Sequence, residues 1–147
     1  METRPVFDTA NIRLEALNER CLNTMNTAIG FEFIEIHDDV LVGQLQVSEK
    51  NCQPMGLLNG GASMAAIEIA GSMAANLVIP REKSVAVGQN IQGSHFRSAK
   101  MGEIIRVEAR PLHIGQRSHI WEVELRNAQK KLVCKGTITM AVITRPA

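Results

Sequence analysis

Tyrosine is missing from this 147-residue chain, and the aromatic complement is four phenylalanines and one tryptophan. So few flat rings leave nothing from which to build a stacking platform for single-stranded nucleic acid. An excess of one charge is lacking too. Sixteen basic and fifteen acidic residues leave a net charge of +1, which removes the electrostatic case for duplex DNA or an anionic membrane surface. The three cysteines, Cys21, Cys52 and Cys134, are odd in number and scattered. With no C-x-x-C and no metal-spaced Cys/His pair, neither a disulfide scaffold nor a structural zinc is expected, and no metal site is assigned. No N-x-S/T acceptor is present, and Met1–Pro5 lacks the basic and apolar regions of a signal peptide. The expected compartment is the reducing cytoplasm.

Long apolar runs are also scarce. Ala62 to Ile79 comes nearest, but it is short for a bilayer and carries Glu68 near its middle. A charge there would cost about 2.5–3.5 kcal/mol even on the lenient insertion scale. A helix buried in a protein core is the expectation, and no membrane partner.

A chain of this length fits one domain, expected over residues 1–147 with 1–29 as an N-terminal helical segment. Ile12, Leu14, Leu17, Cys21 and Leu22 fall at roughly helical spacing, predicting a helix over Asn11–Ala28 that Gly30 stops. Phe31–His37 and Val40–Val47 read as strands around the turn signal Asp38-Asp39, with Leu41, Leu45 and Val47 on one face. A loop dense in Gly and Pro, Gln53–Gly61, then feeds a helix over Ala62–Leu77 that is apolar nearly all round. After Lys83 the alternation has period two. Ile105, Val107 and Ala109 face one way, and so do Trp121, Val123 and Leu125, then Ile138, Met140 and Val142. About four long strands are expected there. This order predicts an α+β fold in which a curved antiparallel sheet wraps one long central helix.

Glu68 is the first candidate for chemistry, because a carboxylate in an apolar helix must be paired, hydrogen-bonded or protonated. A structural salt bridge to an arginine is the plain alternative. Ser72 lies one turn along the same face, where a hydroxyl and a carboxylate can hold one water between them, unless it is simply a small packing residue. Gly60 and Gly61 open the helix. An N–H there, favoured toward negative charge by the helix dipole, would serve a developing oxyanion, although a Gly pair also marks any tight turn. Gly60 and Glu68 are eight positions apart, about 12 Å along one helix axis. Both would have to stand about 3 Å from one reacting group. Two antiparallel helices related by a two-fold axis bring them together, so a site using both is expected to be shared in a homodimer. A Cys52 nucleophile with His95 or His113 is a weaker reading than a small packing cysteine. The four histidines have no metal spacing, and His113 is expected to pack or bind at a hairpin.

The run Gln53-Pro54-Met55-Gly56-Leu57-Leu58-Asn59-Gly60-Gly61-Ala62-Ser63, followed by Glu68 and Ser72, resembles the hot-dog-fold acyl-CoA thioesterases of the 4-hydroxybenzoyl-CoA and phenylacetate-degradation type. The similarity continues through Ser94–Ser98, Pro111–Gly115 and the closing strand, covering nearly all of the chain beyond the first helix. It implies a hot-dog fold and hydrolysis of an acyl-CoA thioester to free acid and coenzyme A, with no cofactor beyond the coenzyme A of the substrate. It implies further that Glu68 is the catalytic carboxylate, Ser72 the hydroxyl that helps place water, Gly60 the backbone donor to the thioester oxygen, and Gln53 a side chain near that carbonyl. Arg97, Arg117 and Ser118 fall where the family places nucleotide contacts, with His95 beside them, and Arg suits phosphate by its planar fork. A homo-oligomer is implied, a dimer or a dimer of dimers. One position departs: the family usually carries His before the Gly pair, and this chain has Asn59, whose amide donates but cannot carry a proton. Two other readings remain at this point, a non-catalytic acyl-CoA-binding module and a dehydratase. No His-plus-Asp pair is placed for the dehydratase.

Overall fold

The computed structural model describes residues 4–147. Residues 1–3, part of the N-terminal segment considered above for targeting, lie outside the described residues. The chain opens with two short helices, α1 (Leu14–Arg20) and α2 (Met25–Ala28), where one helix over Asn11–Ala28 was expected. The break has a local cause. Asn23 sits at φ 59°, in the left-handed region that ends a helix. Thr24 then caps the next one, its side chain accepting from the Asn26 N–H.

The strands are β1 (Phe31–Ile36), β2 (Leu41–Gln46), β3 (Ser84–His95), β4 (Ile104–Ile114), β5 (Ser118–Arg126) and β6 (Leu132–Thr144). They form one antiparallel sheet in the order β1-β2-β4-β5-β6-β3. The period-two residues face the core as the alternation requires: Ile105, Val107, Ala109, Trp121, Val123, Leu125, Ile138 and Met140 are all fully buried. Val142, the last expected member, is only half-buried near the end of its strand.

The central helix α3 spans Gly60–Leu77, two residues longer at its start than the apolar run suggested, because Asn59 caps it. Its buried face carries Ala62, Ala66, Ile67, Ala70, Gly71, Ala74 and Ala75. Small residues there let the helix lie close on the sheet. A Cβ on Gly71 would stand 2.2 Å from Ile138 Cγ2, well inside van der Waals contact. The sheet wraps one side of α3 rather than the whole of it. The opposite side, with Met64, Ala65, Glu68, Ser72, Met73 and Asn76, stays half-buried.

Two further features bear on the site. Asn76 ties the end of α3 to the start of β3, donating to Ser72 O and Ala86 O and accepting from the Ala86 N–H, each at 2.9 Å. β3 itself closes one edge of the sheet. From Val87 to His95 all nine of its residues are exposed, and no strand pairs with its outer side among the described residues.

Candidate active site

Glu68 leaves α3 toward β3, and its carboxylate rests on the Cα of Gly88. A Cβ at residue 88 would stand 2.7 Å from both carboxylate oxygens, so only glycine leaves the carboxylate its place. No hydrogen bond or ion pair engages the Glu68 carboxylate among the described residues, and burial pushes its pKa up. The salt-bridge alternative is therefore not what the structure contains. Ser72 and Glu68 line one cavity of about 410 Å³ with Ile69, Met73, Asn76 and Arg81. A free carboxylate and a hydroxyl facing the same space can hold and deprotonate a water.

Gly60 lies in a second cavity, about 400 Å³, with Gln53, Ser63, His95 and Arg97. Its N–H, first in the helix, finds no partner among the described residues. The next donor does: Asn59 Oδ1 accepts from the Gly61 N–H at 2.7 Å. Asn59 thus acts here as the helix N-cap, a task for which asparagine ranks among the best residues. Gln53 holds the loop, its Oε1 accepting from the Met55 N–H and its backbone N–H donating to Leu57 O at 2.8 Å. The ring of His95 packs on Gly60, its Cε1 being 3.4 Å from where a Cβ would stand. Arg97 donates from Nη1 to Leu132 O at 2.9 Å, leaving the rest of its guanidinium open.

One chain therefore keeps the two cavities apart. Gly60 packs at the His95 end of β3, whereas Glu68 rests on Gly88, seven strand positions away and about 20 Å along the strand. Ser118 sits at the Glu68 end: it pairs with Ala141, which pairs with Val87, in the row next to Gly88, Met140 and His119. Arg117 precedes it in the turn between β4 and β5, with its carbonyl accepting from Val142 N–H at 2.9 Å. Hence Gln53, Asn59, Gly60, His95 and Arg97 are gathered at one end, and Glu68, Ser72, Arg117 and Ser118 at the other.

Cys52 is half-buried beside the core, and among the described residues no histidine is bonded to it. The buried histidine is His119, whose Nδ1 has no hydrogen-bond partner, while His113 is exposed. Among the described residues no group of three or more His, Cys, Asp or Glu gathers as metal ligands, and no helix is long and apolar enough to cross a membrane. Sequence reasoning passed over two residues. Ser63 lines the Gly60 cavity with a buried, unpartnered hydroxyl, and Gly88 seats the carboxylate. A glycine inside a strand is itself a sign of close approach.

A long helix laid on a six-stranded antiparallel sheet is the hot-dog fold. The comparisons agree. The Thioesterase superfamily model matches residues 55–134. The proofreading thioesterase EntH of Cronobacter turicensis is 36% identical over 133 residues, covering 90% of this chain and 96% of the relative. The 1,4-dihydroxy-2-naphthoyl-CoA hydrolase of Escherichia coli K12 is 37% identical over 132 residues, again covering 90% and 96%. Among solved structures, a mutant of thioesterase PA1618 from Pseudomonas aeruginosa superposes with a TM-score of 0.91 at 29% identity, covering 95% of this chain and 99% of that one. The chain belongs to the thioesterase superfamily and is a hot-dog thioesterase, a thioester hydrolase.

Proposed function

We propose that the protein hydrolyses acyl-CoA thioesters to the free acid and coenzyme A. The observation that carries this reading is the unpaired Glu68 carboxylate, seated on Gly88 in a cavity it shares with Ser72. Glu68 acts in one of two ways. As general base it takes a proton from water while the water oxygen attacks the thioester carbon. As nucleophile it attacks that carbon itself, and water then opens the resulting anhydride. In both routes the C–S bond breaks and the thiolate of coenzyme A leaves. Ser72 helps place the water. The Gly60 N–H receives the negative charge that develops on the thioester oxygen, with Gln53 and Asn59 shaping the loop around it. Arg97, Arg117, Ser118 and His95 bind coenzyme A.

The two half-sites are joined across a two-fold axis, Gly60 of one chain meeting Glu68 of the other. Support comes from their separation within one chain, from the half-buried outer side of α3 and from the unpaired edge of β3. Two such dimers pair as a tetramer, and the enzyme works in the cytoplasm with no cofactor of its own. The relative named as a hydrolase of 1,4-dihydroxy-2-naphthoyl-CoA supports a coenzyme A thioester as substrate. Release of free thiol from a panel of acyl-CoAs tests the reading. Glu68→Gln should lower kcat on the best substrate by about a hundredfold or more while the far-ultraviolet circular dichroism stays that of the parent. Turnover by Glu68→Gln close to the parent's would overturn it.

A further inference from the structure

The Glu68 cavity contains more positive charge than hydrolysis of a thioester needs. Beyond Glu68, Ser72 and Asn76 its walls are apolar, with Ile69, Met73 and Val85, and it ends among Arg20, Arg81 and Arg145. These arginines stand away from the reacting end. Arg81 donates from Nε to Asn76 O at 2.9 Å, and Asn76 is eight residues past Glu68, about 12 Å along the helix. The Arg145 N–H donates to Lys83 O at 2.9 Å, just before β3 begins.

No carboxylate forms an ion pair with Arg20, Arg81 or Arg145 among the described residues. Asp8, which lines an adjoining cavity with Arg20 and Arg81, accepts instead from Asn11 at 2.7 Å. The Nε bond of Arg81 spends one donor on the helix end and leaves its terminal N–H groups open. Burial, and after it the charges of Arg20 and Arg145, hold the pKa of Arg81 down. A helix C-terminus favours one cation; it does not account for three.

We propose that this cavity is the acyl subsite and that Arg81, with Arg20 and Arg145, reads a carboxylate at the far end of the acyl group. The preferred substrates are then coenzyme A thioesters of dicarboxylic acids, with an apolar spacer lying against Ile69, Met73 and Val85. This rests on Glu68 being the reacting carboxylate and goes beyond it by naming the acyl class. A volume of about 410 Å³ takes a ring or a short chain and falls at the low end for ligand pockets. Coenzyme A, much the larger half of the substrate, leads away from it toward Arg117 and Ser118 and toward the Gly60 end of the second chain.

Matched pairs of thioesters test this: adipoyl-CoA against hexanoyl-CoA, and 4-carboxybenzoyl-CoA against benzoyl-CoA. The parent enzyme should favour the carboxylated member of a pair by about tenfold in kcat/KM, the scale of one charge-assisted contact. Arg81→Gln should collapse that ratio toward one. Because Arg81 also holds the end of α3, the exposed Arg145→Gln and Arg20→Gln serve as second variants and should each lower the ratio. No preference in the parent overturns the proposal. An equal loss on both members of a pair also overturns it, since the arginines would then be meeting the phosphates common to all the substrates. Hydrolysis of the neutral members alone removes this proposal and leaves the hydrolase standing. Hydrolysis of none removes both.

Discussion

Glu68 titrates from an unfavourable place for a charge. Burial raises its pKa and no partner opposes the shift, so the carboxylate is the form the fold disfavours. Its contribution to stability is therefore fullest at acidic pH and is lost as pH rises through the folded-state pKa. Activity runs the other way, because only the ionised form can act as base or nucleophile. The acid limb of kcat/KM against pH should have its midpoint above the ordinary glutamate range and vanish in Glu68→Gln, in which no carboxylate is left to titrate. A limb lying within the ordinary range would mean that Glu68 is solvated during turnover. Asn59 presents a second contest. Replacing it with His restores the residue usual in the family but removes a cap bond of 2.7 Å. Asn59→His should hold kcat/KM at or above the parent value while losing about 1 kcal/mol of stability. Thiol release and urea denaturation measure the two separately, and a tenfold loss of kcat/KM would give Asn59 a chemical task of its own. The isolated setting of Glu68, its shared face with Ser72 and the helix opening at Gly60 were legible in the sequence, because a lone carboxylate in an apolar helix and a Gly pair before one are local signals. The cap was local as well, since Asn directly before a helix-opening Gly pair is an N-cap signal.

Between α3 and the sheet the fold depends on missing side chains, and two of the glycines involved, Gly71 and Gly88, should fail differently. In Gly71→Ala the new methyl meets Ile138 at 2.2 Å, inside a packed core with little room to yield. A loss of about 1–3 kcal/mol is expected, read as a lower denaturation midpoint, with kcat changed much less. In Gly88→Ala the new methyl meets the tip of a flexible side chain, the two oxygens of Glu68 at 2.7 Å. The carboxylate swings aside at small cost in stability and the damage falls on kcat. If Gly88→Ala matched Gly71→Ala in stability loss and kept its kcat, the seat assigned to Glu68 would be wrong. The period-two strands were legible from alternation alone, since each has one face in the core. The N-terminal helix was misjudged because its spacing of apolar residues runs on through Asn23, whose positive φ leaves no mark on a hydrophobic pattern. Gly88 stood in plain sight, but what it seats lies twenty positions back along the chain, and only tertiary structure pairs them.

For the whole molecule, the separation of the two half-sites makes a clean test. Glu68→Ala chains and Gly60→Pro chains, the latter without the donor N–H, should each be inactive. After exchange of subunits, each mixed dimer regains one intact site. Recovery approaching a quarter of parental kcat is expected from random pairing, in which about half the dimers are mixed and each has one of its two sites restored. Proven exchange without recovery would exclude a shared site. The separation was legible in the sequence as helix rise, while the side-chain ends that close each half-site, His95 on Gly60 and Glu68 on Gly88, were not. The bare edge of β3 has a further consequence. Nine exposed residues in a row carry Val87 and Ile91, 40% and 37% exposed, against a strand edge whose outer side has no partner. If a second chain covers that edge, folding and turnover both become functions of how much protein is in the tube. The melting temperature rises with concentration by mass action. Specific activity, a constant for an enzyme whose site lies in one chain, falls on dilution once the concentration of chains drops to the dissociation constant of the pair.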